Sequence, residues 1–257
     1  MEVIIRPNRQ SATSLTARLL ADHVIKKPTS VLGLATGRTM EEVYDDVASM
    51  NLDFTFCKSF NLDEYVGMKP TDINSYRYYM NKHFFSKINI PIGNTYLPNG
   101  AADDLPEACR DYEQNIIDNG GIDIQLLGIG RTGHIGFNEP LSALYSRTRE
   151  KALTPITYAQ NSPLFDNPED MPKRALTMGV GTILEAKRVI LLATGTEKAE
   201  ILAKAIEGPI TSMISATALQ LHPAATIICD EEAAELLGEK EYYRWIFQNE
   251  PEWAPYR

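Results

Sequence analysis

Two short stretches concentrate the groups that move protons. Asn61-Leu62-Asp63-Glu64-Tyr65 places adjacent carboxylates just past an apolar run, and Gly133-His134-Ile135-Gly136-Phe137-Asn138-Glu139-Pro140 flanks an imidazole with glycines and supplies a carboxylate five residues on. A carboxylate beside a carbon acid, with an imidazole near a hydroxyl or ring oxygen, is the equipment of proton-transfer chemistry. A lone loop histidine is more often structural than catalytic; His23, His83 and His222 have no comparable setting. Two further turns, Ala35-Thr36-Gly37-Arg38-Thr39 and Thr194-Gly195-Thr196-Glu197-Lys198, are small, Gly/Thr-rich and open predicted helices. Free N–H groups, hydroxyls and the helix dipole favour an anion there, and Lys198 adds a point charge. Each turn alone also reads as a plain strand-to-helix cap; together they read as a phosphate cradle.

The elements that must position these groups follow from the hydrophobic pattern. Apolar, β-branched runs predict strands at Val3 to Arg6, Ser30 to Ala35, Phe54 to Leu62, Ile122 to Ile129, Arg188 to Thr194 and Ala225 to Asp230. Amphipathic stretches predict helices over 9–26, 39–50, 74–86, 103–119, 179–186, 196–207 and 231–238. Continuous apolar strands suit a parallel sheet covered on both faces. The alternation predicts an α/β fold, a doubly wound, mainly parallel sheet with helices on both faces. In such sheets ligands gather at the carboxyl ends of the strands, where all four turns fall. No repeat, low-complexity tract or linker divides the chain, so residues 1–257 are expected to form one domain. Between Arg131 and Arg174 the rhythm breaks, with prolines at 140, 155, 163, 168 and 172. A long irregular stretch inside a compact domain is commonly functional, and a lid is expected within 149–178.

Several chemistries are excluded. Gly128-Ile129-Gly130-Arg131-Thr132-Gly133 is formally GxGxxG, but a dinucleotide site needs a helix opening within the motif and an acidic residue about 20 positions on. The Pro-rich segment follows instead, so neither a nicotinamide nor a flavin cofactor is expected. There is no GxSxG elbow, Walker A lysine or His/Cys/Asp cluster with metal spacing. The 25 basic against 34 acidic residues, a net charge of −9, disfavour nucleic acid and anionic membranes, yet leave room for a small anion in a locally positive pocket. Cys57, Cys109 and Cys229 are too sparse for a disulfide framework and point to a reducing compartment. The N-terminus lacks a basic leader and apolar runs such as Val189 to Ala193 are too short to span a bilayer, so a cytoplasmic protein is expected.

The motifs N-L-D-E-Y-V-G at 61–67, G-H-I-G-F-N-E-P at 133–140 and A-L-T-M-G-V-G-T-I-L at 175–184 resemble the glucosamine-6-phosphate deaminase family. L-Q-L-H-P at 219–223 and T-G-R-T at 36–39 extend the similarity, which runs from near residue 3 to about 235. The resemblance implies a Rossmann-like sandwich and an aldose–ketose isomerisation with loss of ammonia, needing no cofactor, that gives fructose 6-phosphate. It implies that His134 shuttles the proton that opens the pyranose ring, with Glu139 in support. Asp63 then moves the C2 proton to C1 through a cis-enolamine. Thr36, Gly37, Thr39 and Lys198 match the family's phosphate site.

This chain departs from the family pattern at three places. Thr132 stands where Asp, or Asn in a bacterial branch, precedes Gly-His; Pro163 replaces a lid arginine; Arg38 and Met40 replace a small residue and a proline in the first phosphate turn. Arg38 is expected to replace a lost cation at the phosphate. Ser142, Arg149 and Lys151 match an allosteric site of hexameric members, whereas Ala143 and Ala152 replace hydroxyl residues in it. The oligomeric state stays open, a homo-oligomer included. The departures also leave open a weakly catalytic sugar-phosphate sensor or a 6-phosphogluconolactonase-like hydrolase, although a pure sensor has no evident need for a carbon base.

Overall fold

The computed structural model describes all 257 residues. Seven parallel strands form the central sheet: β1 (Glu2–Arg6), β2 (Val31–Leu34), β3 (Lys58–Asn61), β5 (Thr95–Tyr96), β6 (Ile124–Leu127), β9 (Arg188–Ala193) and β10 (Ala225–Asp230). Their order is β1-β10-β9-β6-β2-β3-β5. All four residues of β2 and of β6, and all six of β10, are buried, as a sheet covered on both faces requires. A core of 55 buried residues surrounds it.

The helices are α1 (Arg9–Lys26), α2 (Arg38–Ser49), α3 (Tyr76–His83), α4 (Leu105–Asp118), α5 (Pro155–Asn161), α6 (Val180–Leu184), α7 (Ala199–Glu207) and α8 (Lys240–Asn249). Their starts are chemically marked. Asn8 and Ser11 form a reciprocal capping box at α1, and the Asp104 side chain accepts from Glu107 N–H at 2.8 Å at α4. In contrast, α2 begins on Gly37 at φ 120° with no side-chain cap.

Two expectations need correction. Residues 231–238 form turns rather than a helix: the Asp230 carboxylate accepts from Ala233 N–H at 2.8 Å, starting a turn that does not propagate. The C-terminal helix is α8, which lies beyond it. The predicted strand at Phe54 to Leu62 is shorter, because 54–57 turn before β3 begins.

The largest addition is a second sheet. Strands β4 (Asp63–Tyr65), β8 (Arg174–Thr177) and β7 (Arg149–Ala152) pair antiparallel in the order β4-β8-β7, with Thr177 opposite both Asp63 and Arg149. The Pro-rich segment is therefore less irregular than its composition suggests. Two of these strands bracket it, α5 opens it, and prolines occupy early helical positions where a missing N–H costs nothing. It packs down through a small separate core of Tyr65, Met68, Phe137, Phe165, Met171 and Ala175. This core joins the segment to both proton-transfer motifs, since Tyr65 follows Asp63-Glu64 and Phe137 lies between His134 and Glu139.

Candidate active site

The chain leaves β3 and enters β4 at Asp63, whose residue is only 6% exposed. No hydrogen bond stabilises its carboxylate. Burial, reinforced by the neighbouring Glu64 charge, pushes its pKa up to about 8. Glu64 is structural instead. Its carboxylate accepts from the N–H groups of Tyr65, Tyr76 and Arg77 at 2.9–3.0 Å, so it anchors the start of α3. Of the two adjacent acids, only Asp63 has no hydrogen-bond donor on either oxygen.

The loop after β6 folds into a tight turn. Gly133 N–H donates to Gly130 O at 3.0 Å, and Gly130 N–H donates to His134 O at 2.9 Å. The imidazole lies against the backbone of residue 130, where a Cβ would stand 2.2 Å from Nε2; glycine there is a steric requirement. His134 Nδ1 meets Thr132 Oγ1 at 2.7 Å and Glu139 Oε2 at 3.2 Å, and the Thr132 hydroxyl also reaches Glu139 Oε2 at 3.4 Å. Nε2 has no partner in the chain. Burial raises the Glu139 pKa, but the hydrogen bond and charge of His134, with help from Thr157 and Thr154 N–H, outweigh it and hold the group down to about 2.

The departure at 132 is thus met by the fold. The Thr132 hydroxyl bonds the ring, and Glu139 supplies the orienting carboxylate at the same nitrogen. The other Glu139 oxygen accepts from Thr154 N–H at 3.2 Å and from its hydroxyl at 3.1 Å. Thr154 caps α5 and is a site residue that sequence reasoning missed; the only signal was a Thr-Pro helix opening. Asp63 and the histidine loop come together at Gly136, where a Cβ would lie 3.5 Å from Asp63 Oδ2 and 3.0 Å from Thr177 Oγ1. Thr177 Oγ1 accepts from Phe137 N–H at 3.0 Å. Ser215 also holds the loop, donating to Asn138 O at 2.8 Å and accepting from Ile135 N–H at 3.2 Å.

The two anion turns are unequal. At the first, the N–H groups of Arg38 and Thr39 carry no hydrogen bond within the chain, and Thr36, Gly37 and Thr39 border open space. At the second, Gly195 N–H is taken by the Asp230 carboxylate at 3.0 Å, and a Cβ at residue 195 would stand 2.5 Å from Glu197 Oε2. This turn supplies its own negative charge, so its contribution is Lys198. The Lys198 ammonium reaches back to donate to Ile129 O at 2.9 Å, at the end of β6.

No hydrogen bond or ion pair joins residues 142, 149 and 151. The Ser142 hydroxyl is buried without a partner. Arg149 turns inward to donate to Asn138 Oδ1 at 2.9 Å, which ties it to the histidine loop. Lys151 has no hydrogen-bond or ion-pair partner in the chain. No three His, Cys, Asp or Glu side chains converge in a way that would hold a metal ion, and no helix is long and apolar enough to cross a membrane.

Residues 8–235 match the family model for glucosamine-6-phosphate isomerases/6-phosphogluconolactonase. The chain is 44% identical to the glucosamine-6-phosphate deaminase of Arthrobacter sp. (strain FB24), covering 98% of this chain and 99% of that one. It is 46% identical to the deaminase of Shewanella woodyi, covering 96% and 95%. A solved monomeric glucosamine-6-phosphate deaminase superposes with a TM-score of 0.90 at 44% identity, covering 92% of this chain and all of that one. The 6-phosphogluconolactonase of Leishmania guyanensis shares the fold alone, with a TM-score of 0.70 at 21% identity. Near-complete coverage by the deaminases, with both proton-transfer motifs in place, closes the assignment: the chain belongs to the glucosamine-6-phosphate deaminase family.

Proposed function

We propose that this protein converts glucosamine 6-phosphate to fructose 6-phosphate and ammonia, as a cytoplasmic enzyme of amino-sugar catabolism that needs no cofactor. The observation that carries the reading is the pairing of a buried, hydrogen-bond-free carboxylate, Asp63, with an imidazole whose far nitrogen is free and whose near nitrogen is held by Glu139 and Thr132. A sugar sensor has no use for a carboxylate destabilised by burial. An isomerase does, because such a base gains basicity and recovers solvation-like contacts only with its substrate.

The chemistry follows from these roles. His134 Nε2 takes the proton of the C1 hydroxyl and delivers one to the ring oxygen, opening the pyranose; the imidazolium formed in between is stabilised by Glu139. Asp63 removes the C2 proton, which the ammonium at C2 has acidified; that electron pair forms the C1=C2 bond, the C1=O π pair moves to O1, and O1 takes up a proton given up by the ammonium, giving a neutral cis-enolamine. The same carboxyl returns a proton to C1, leaving an iminium at C2. Water adds to C2 and ammonia departs, so one water is consumed per ammonia released.

Thr36, Gly37, Arg38, Thr39 and Lys198 hold the phosphate at the carboxyl edge of the sheet, through N–H groups, hydroxyls and charge. The segment within 149–178 acts as the lid of a single domain. Arg149 supports the histidine loop through Asn138 Oδ1.

Supplying glucosamine 6-phosphate and 6-phosphogluconolactone side by side tests the reading. Ammonia and fructose 6-phosphate in equal amounts from the first support it. Saturable binding of glucosamine 6-phosphate without product favours the sensor, and turnover of the lactone alone favours the hydrolase.

A further inference from the structure

Three neighbouring strands of the central sheet, β2, β6 and β9, run in parallel and are followed at their carboxyl ends by Arg38, Arg131 and Lys198 respectively. The turn Gly130-Arg131-Thr132-Gly133 is closed by the Gly133 N–H to Gly130 O bond and by Gly133 at φ 77°. It sends Thr132 inward to His134 and leaves Arg131 exposed at the tip. Lys198 Nζ is fixed on Ile129 O, two residues before Arg131. On the other side, Met40 of α2 packs at the position a Gly128 Cβ would meet at 3.5 Å, which sets the start of α2 beside the end of β6.

Two of these three cations are unpaired, and Lys198 donates only to a backbone carbonyl, with Glu197 acting on its charge. Arg9, Arg147, Arg174 and Arg244 each meet a carboxylate, whereas Arg38 and Arg131 have no ion-pair or hydrogen-bond partner in the chain. Burial lowers the pKa of Lys198; Glu197 opposes that shift, and the positive charge of Arg131 adds to it. An anion between Arg131 and Lys198 would relieve their mutual repulsion. The lid is a poor alternative source of charge: residues 153–173 carry Asp166, Glu169 and Asp170 against a single cation, Lys173, and of the flanking cations Arg149 is held on Asn138 Oδ1 and Arg174 on Glu150.

We propose that Arg131 binds the substrate phosphate, acting with Lys198 and Arg38 so that the anion is held by cations from three adjacent strand ends and by none from the lid. This deepens the sugar-phosphate reading above and rests on it. It also gives the GxGxxG-like turn a purpose. The glycines let one short loop present His134 to the sugar ring on one side and Arg131 to the phosphate on the other.

The test measures KM and kcat for glucosamine 6-phosphate, with competitive inhibition by inorganic phosphate, in wild type, Arg131→Gln and Arg131→Lys. A lost charge-assisted hydrogen bond predicts a rise of at least ~10-fold in both KM and the phosphate inhibition constant for Arg131→Gln, with kcat within about 2-fold of wild type and partial recovery in Arg131→Lys. Arg131 is exposed and unpartnered, so thermal unfolding should be unchanged, which separates binding from folding. Wild-type values of KM and inhibition in Arg131→Gln would overturn the proposal. So would a fall in kcat at constant KM, which would mean that Arg131 acts through Thr132 and His134. If wild type itself neither turns over the sugar phosphate nor responds to phosphate, the sugar-phosphate reading fails and the role of Arg131 falls with it.

Discussion

Glu139 reaches His134 Nδ1 at 3.2 Å with one carboxylate oxygen and Thr154, at the start of α5, with the other. One buried acid therefore orients the imidazole and pins Thr154, the cap of α5. Replacing it by glutamine should lower kcat by about 10²-fold, because the imidazolium loses its counter-charge while the ring keeps its hydroxyl partner. Glu139 titrates near 2, below the ordinary glutamate value of 4.5, so its ionised form stabilises the fold above pH 4.5 and that stabilisation is lost as pH falls through 2. Glu139→Gln should therefore unfold at a lower temperature than wild type at pH 7, with the gap narrowing in acid. Thermal melts across that range check the sign.

Thr132 gives a sharper test, because sequence comparison and structure disagree about it. If the missing family carboxylate limited ring opening, Thr132→Asp would raise turnover. In the structure Glu139 Oε2 and Thr132 Oγ1 already share His134 Nδ1, at 3.2 and 2.7 Å, so a carboxylate at 132 would duplicate a contact that the ring has. Thr132→Asp should therefore leave kcat within about 2-fold of wild type. Thr132→Val, which removes one neutral hydrogen bond to the ring, should cost only about 2- to 10-fold. Steady-state kinetics of the two variants decide between these accounts.

Gly130 should be intolerant of even one methyl. A Cβ there would stand 2.2 Å from His134 Nε2, and the backbone is not in the left-handed region, so the imidazole must swing away while the chain keeps its path. Gly130→Ala should lose about 10²-fold in kcat, the scale expected for an ångström-sized displacement of a reacting group, with little change in Tm.

Asp63 should cost stability when charged. Its pKa in the fold is about 8 against an ordinary 3.8, so folding favours the protonated form; the stabilisation is complete below pH 3.8 and is lost as pH rises through 8. Asp63→Asn, which cannot ionise, should match wild type near pH 4 and exceed it in Tm at pH 9. Equal melting temperatures at pH 9 would mean that the carboxylate is better solvated than its surroundings imply.

The parallel sheet was legible because its strands are buried on both faces and read as unbroken apolar runs, as in VLGL and RVILLA. The small antiparallel sheet was not. Strand β7 reads Arg-Glu-Lys-Ala with no buried residue, and β4 begins Asp-Glu, so neither carries an apolar signal; pairing with β8 makes them strands. The 231–238 stretch has helix-forming alanines, leucines and glutamates, and Asp230 caps it at Ala233 N–H, yet after Ala234 N–H meets Asp230 O the backbone bonds step to i−3 at Glu235 and Leu237 and the turn stops. At the site, His134, Glu139 and Asp63 were visible because chemistry-bearing residues sat in short motifs. Thr154 was not, because its contact with Glu139 spans 15 residues. Nor did composition separate the open first anion turn from the second, whose N–H group Asp230 already occupies.

In the proposed mechanism Asp63 carries the proton between C2 and C1. Formation of ammonia and fructose 6-phosphate from glucosamine 6-phosphate, compared in wild type and Asp63→Asn at matched affinity for fructose 6-phosphate, tests it most directly. Equimolar products are expected from wild type, with a loss of at least ~10³-fold in kcat for the variant, within the range of general acid–base catalysis. Turnover by Asp63→Asn at the wild-type rate, with its product affinity intact, would contradict it.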